Sequence, residues 1–100
     1  MARLDLFRLQ GVDGYFLDVQ ADLMSGLATT VVVPLLPLDV APQPANRLNP
    51  TFTIEGEHYV MVTQALASVQ KRELGSPIGT LDRSREYDVT GALDMLLSGS

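Results

Sequence analysis

The chain contains no cysteine, which excludes disulfide staples, thiolate zinc sites and cysteine nucleophiles. Its one histidine, His58, is too few for a multi-histidine metal cage within a single chain. Basic residues are scarce: seven stand against twelve acidic ones, a formal net charge of −5 at pH 7. Such a chain is poorly suited to neutralising a phosphate backbone unaided. The cations Arg3, Arg8, Arg47, Lys71, Arg72, Arg83 and Arg85 are scattered, and the six aromatics, none of them tryptophan, are not interleaved with them. No stacking platform for single-stranded nucleic acid is therefore present. A long apolar run is lacking too. The longest nearly uncharged stretch, 23–38, is interrupted by Pro34 and Pro37 and falls short of the roughly 20 residues of a spanning helix. The opening Met1-Ala2-Arg3-Leu4-Asp5-Leu6 carries charge where a signal peptide keeps an apolar stretch. These absences point to a cytoplasmic protein with no membrane segment.

What is present suits a compact β domain. One hundred residues, 46% of them hydrophobic, suffice for one domain, 1–100, with a core that needs no staples. Arg3-Leu4-Asp5-Leu6 alternates polar and apolar residues, predicting a strand with Leu4 and Leu6 on one face. A glycine-bracketed turn, 11–14, joins it to a second strand, Tyr15 to Gln20. Thr29 to Val33 is the most strand-like segment; its continuous apolar run predicts a strand covered on both faces, and Pro34 is expected to end its ladder. Five of the six prolines (Pro34, Pro37, Pro42, Pro44, Pro50) crowd positions 34–50 and mark an ordered connection over the surface. Thr51–Ile54 and His58–Thr63 read as a hairpin turning at Glu55-Gly56-Glu57. Ala65–Leu74 alternates weakly in favour of a strand. Asp82 or Ser84 caps a terminal helix whose Val89, Ala92, Leu93 and Leu96 form an apolar stripe, closed by Gly99. Gly91, costing about 1 kcal/mol against alanine in a helix, suggests a close backbone approach.

Reactive groups do not converge in the pattern. Asp18 and Asp22 are close in sequence, but one sits in a strand and the other opens a loop, so Asp18 bonded to nearby backbone and Asp22 capping a turn is the stronger reading. His58 reads as an exposed strand histidine, with no serine elbow to serve. Glu55 and Glu57 share a turn tip without metal-binding companions. No catalytic, cofactor or metal residue is assigned. The unusual feature is apolar: Leu23-Met24 falls in a loop, and Met95, Leu96 and Leu97 crowd the helix end, where one face cannot bury all three. Two readings stand open, a loop folded back as a plug or a surface for a partner.

Specific residues then add a family likeness. Tyr15-Phe16-Leu17-Asp18-Val19-Gln20-Ala21-Asp22 followed by Val31-Val32-Val33-Pro34-Leu35 resembles the paired signature of the CcdB family of bacterial toxins. More follows in register: Arg47-Leu48-Asn49-Pro50, Tyr59 to Thr63, Ala67-Ser68-Val69, Leu74-Gly75, Leu81, and Ala92 to Leu96 before a terminal glycine. The likeness runs essentially end to end. It implies a mainly β fold with a C-terminal α-helix, an SH3-like antiparallel barrel plus a small additional sheet, paired as a homodimer. It further implies a non-enzymatic toxin that binds the DNA gyrase A subunit and is neutralised by a CcdA-like antitoxin, touching DNA only through the antitoxin complex. Carried over by position, the gyrase-facing residues are Leu23, Met24, Asp94, Leu97, Ser98, Gly99 and Ser100. The tail departs from the pattern, with Ser98-Gly99-Ser100 where family toxins end in tryptophan-glycine-isoleucine, and Asp94 stands where they carry a neutral amide. That departure leaves a homologue that only binds antitoxin as the second reading. A MazF-like ribonuclease, which needs a basic groove, comes third.

Overall fold

A computed structural model describes residues 2–11 and 13–99. The strands are β1 (Asp5–Arg8), β2 (Tyr15–Asp18), β3 (Thr29–Pro37), β4 (Thr51–Ile54), β5 (Glu57–Met61), β6 (Ala67–Gln70) and β7 (Gly79–Thr80), followed by the helix α1 (Glu86–Ser98). They form a curled antiparallel sheet in the order β4-β5-β3-β2-β1-β7, with β6 attached to β3. The protein is thus mainly β with a C-terminal helix.

β3 organises the sheet. One of its edges pairs with β2 (Leu17 opposite Val33), while the other is shared by β6 (Val32 opposite Ala67) and β5 (Leu35 opposite Met61). Val32 and Val33 are adjacent, so they point to opposite faces, and both are fully buried; the predicted two-sided cover is present. The ladder does not end at Pro34. The strand runs on to Pro37, because the proline stands between the last β6 pair and the first β5 pair. Val31 turns its backbone groups towards β2, so alternation directs the missing Pro34 donor to the gap where the partner changes. Its carbonyl there accepts the Val62 N–H at 2.9 Å.

The first strand starts later than its alternation predicts. Leu4 adopts a left-handed φ of 76°, its N–H donating to Asp18 O at 2.7 Å and its carbonyl accepting from Leu81 N–H at 2.9 Å. Leu4 and Leu6 are nonetheless both in the core, with Leu17, Leu35, Phe52, Met61, Val89 and Ala92. Gly14 is required by space as well as by its φ of +144°, since a Cβ there would lie 2.5 Å from Leu35 O. The Glu55-Gly56 turn has positive φ at both residues (51° and 82°) and closes Ile54 onto Glu57, the two-residue hairpin geometry that follows strand twist.

Other elements refine the sequence reading. β5 stops at Met61, and Thr63 enters a 3-10 turn, its hydroxyl donating to Leu48 O. Segment 65–74 divides into that turn, the short β6 and a second 3-10 turn, Lys71–Glu73. β7, two residues long, had no signal in the pattern. The proline-rich connection is tied down by buried Asn49, whose Nδ2 donates to Met61 O (3.0 Å) and Gln64 Oε1 (2.8 Å) while its Oδ1 accepts from Ala45 N–H (3.0 Å). Asp82 caps a 3-10 turn leading into α1, accepting the Ser84 N–H at 2.9 Å, and that bond with the Ser84 hydroxyl holds its carboxyl below the ordinary value. Val89 and Ala92 bury the inner face of α1, and Gly99 closes it in the left-handed region. Gly91 marks no close approach: a Cβ there would meet nothing within 4 Å. Arg3 fastens α1 to the sheet, bonding Glu86 (2.9 Å), Thr90 (3.2 Å) and Val19 O (3.1 Å).

Candidate interaction surface

The β2–β3 connection places Leu23 and Met24 in a 3-10 turn, Asp22–Met24, which buries none of its residues. Every residue from 21 to 28 is exposed, with Leu23 at 87%, Leu27 at 51% and Met24 at 43%. The loop does not fold back as a plug. It turns through Met24 N–H to Ala21 O, Ser25 N–H to Asp22 O and Leu27 N–H to Met24 O, all 2.9–3.1 Å. Asp22 does not cap its own turn, which has no side-chain cap bond; its Oδ1 instead accepts the Arg3 N–H at 2.7 Å, far off in the chain.

The second part of the surface is the tip of α1. Asp94 and Leu97 are exposed, Leu97 at 74%. The Ser98 hydroxyl donates to Asp94 O at 2.8 Å, and the Gly99 N–H is shared between Asp94 O and Met95 O. These bonds join Asp94, Ser98 and Gly99 into one small cap; Ser100 lies outside the described residues. Met95 and Leu96 are half-buried, so the crowded helix end divides, with Leu97 turned to solvent. Loop and tip belong to different elements and are held by different bonds.

The groups considered for chemistry are engaged structurally. Asp18 is buried, its Oδ1 accepting from Gln20 N–H and the Thr30 hydroxyl, both at 3.0 Å. Burial pushes its carboxyl above the ordinary value of 3.8, with Asp5 and Asp22 acting in the same direction against those two bonds. His58 is exposed, with Nδ1 3.0 Å from the Thr53 hydroxyl. Arg83 and Arg85 pair locally with Glu86 (3.4 Å) and Asp88 (2.9 Å). Among the described residues no group of three histidines or carboxylates could hold a metal, and no helix is long and apolar enough to cross a membrane.

Sequence reasoning passed over two features. An open cleft of about 710 Å³ separates the Pro44–Thr51 segment from Arg85, Tyr87 and Gly91; Tyr87 beside it is 86% exposed. Arg85 is fixed in its wall, its guanidinium 4.5 Å from the Phe52 ring centre and bonded to Thr51 O. The other is the set of residues that tie down the apolar loop, Gln20 and Lys71. Lys71 lies 46 residues from the Ser25 carbonyl it binds and so leaves no local signal. Gln20, only four residues from Met24, reads in the pattern merely as the last residue of a strand, whereas Leu23-Met24 was visible as two large apolar side chains in a turn.

The fold and this surface define a class: small, mainly β proteins of one curled sheet and a terminal helix, exposing an apolar loop and a helix tip. The chain matches the family model of the CcdB protein over residues 3–99. It belongs to the CcdB family, whose members are toxins of toxin–antitoxin systems. No curated protein matches the chain.

Proposed function

We propose that this toxin acts by binding the DNA gyrase A subunit and inhibiting the topoisomerase, as a homodimer neutralised by a CcdA-like antitoxin. The family supports toxin activity and these partners in general; the observation that carries the reading in this chain is the exposed Leu23-Met24 turn. Large apolar side chains held outside the core gain most when a second protein covers them. Leu23 and Met24 supply one contact, and Asp94, Leu97, Ser98, Gly99 and Ser100 the other. The mechanism is steric and needs no bond-making chemistry from the toxin. DNA is reached only through the antitoxin complex, in keeping with a net charge of −5. On this reading the toxin acts in the cytoplasm, with gyrase and the antitoxin.

The tail sets the strength of the interaction. A buried aromatic anchor contributes about 2 kcal/mol or more, roughly 30-fold in affinity, and Ser98-Gly99-Ser100 offers none. Asp94 adds a charge to be desolvated. These two residue-level facts favour a second reading, a homologue that binds antitoxin but poisons gyrase weakly. Supercoiling assays with the purified protein separate the two. Inhibition by wild type, reduced about tenfold or more in Leu23→Ala/Met24→Ala, is the expected result. Complex formation with antitoxin but no inhibition at saturating protein selects the second reading.

A further inference from the structure

We propose that Gln20 and Lys71 are positioning residues that hold loop 21–28 in a single presented shape, so that Leu23 and Met24 meet their partner preorganised; the partner itself rests on the function proposed above. The need for such residues follows from burial. All eight loop residues are exposed and its 3-10 turn buries none, so core packing, which orders most apolar side chains, is not available here. A loop of this kind opens locally at little cost unless polar ties close it.

The ties come from outside the loop, at both ends. Gln20, two residues beyond β2, donates through Nε2 to Thr29 O (3.1 Å) and Met24 O (3.4 Å), while its Oε1 accepts the Val31 N–H (3.2 Å). One side chain thereby clips the two strands flanking the loop and reaches into the turn that bears Met24. Gln20 is itself seated by buried Asp18, which accepts its backbone N–H and binds Thr30 across the strands. From the far side, Lys71 donates its backbone N–H to Ala28 O (2.9 Å) and its ammonium to Ser25 O (2.6 Å). Met24, Ser25, Ala28 and Thr29 are thus each held by a carbonyl, leaving the Leu23 side chain free to face outward. A surface fixed before contact loses less conformational freedom on binding than one ordered at the moment of contact.

Lys71→Met tests the tether, because it keeps the aliphatic stem and the backbone bond while removing the ammonium. The expected result is amide hydrogen exchange three- to tenfold faster in 21–28, with the urea midpoint unchanged, and recovery in Lys71→Arg. Unchanged exchange in the loop overturns the proposal, as does acceleration spread over the whole chain with a lowered midpoint, which would mark a merely structural lysine. Binding to purified gyrase A subunit supplies the second arm, with Lys71→Met expected to weaken it three- to tenfold. If Leu23→Ala weakens binding and Lys71→Met, despite a loosened loop, does not, preorganisation is refuted and the proposed function survives. If wild type does not bind gyrase at all, the proposed function fails, and the exchange data alone decide the tether.

Discussion

Asp18 shows how one residue can be a structural necessity and an electrostatic burden together. Its Oδ1 collects the Gln20 N–H and the Thr30 hydroxyl, joining the end of β2 to the start of β3. Burial raises its folded pKa above 3.8 more than those bonds lower it. A carboxyl that holds its proton better folded than unfolded contributes most when protonated, so stability declines as pH climbs from about 3.8 through the raised value. An Asp18→Asn side chain still presents Oδ1 to both donors but cannot ionise. Urea unfolding of wild type and variant from about pH 3.5 to about pH 7 should therefore show the variant gaining relative to wild type as pH rises. A difference that stays constant across that range would contradict this account. The sequence disclosed Asp18 as a strand residue bonded nearby; its burial, which sets the direction of the titration, depends on β3 crossing beside it.

Among the elements, α1 was the most legible, because an i, i+3, i+4 stripe and a closing glycine are local signals. Its Gly91 was not. An interior glycine has the same local pattern whether it makes room for a neighbour or faces open space, and here a Cβ would meet nothing within 4 Å. Gly91→Ala should consequently stabilise the protein by about 1 kcal/mol, the intrinsic helix preference alone, read as a raised urea midpoint at constant slope. No gain would mean that the site is strained in a way its open surroundings do not indicate. β3 teaches the same lesson from the opposite side. Proline ends a ladder only where its edge is paired, and at Pro34 that edge falls in the gap between β6 and β5. Segment 65–74 was illegible for another reason, since two 3-10 turns bracket a strand too short to establish a period.

At the scale of the whole molecule, the described subunit leaves many large apolar side chains uncovered: Leu38, Val40, Ile78 and Leu97 join Leu23 in being about half or more exposed. Solvent-exposed groups of this kind are sparingly tolerated in clusters on monomers, and a self-complementary two-fold interface would cover those that the proposed gyrase contact does not use, Leu38, Val40 and Ile78. Sedimentation at micromolar concentration should return twice the 10.8 kDa chain mass. A single-chain mass under those conditions would remove the homodimer from the proposed function.

The order of the strands' apolar residues, the turn glycines, the helix stripe and the register of the family motifs were all determined by the sequence alone, because each is a property of residues near one another in the chain. The loop's character as two large apolar residues in a turn belongs to the same group. Tertiary structure alone decided that Leu23 stays outside the core, that Pro34 costs β3 no bond, that Gly91 faces open space, and that Lys71 reaches Ser25. Those outcomes turn on which distant segment lies alongside, and position in three dimensions is fixed by packing between elements, not by local pattern.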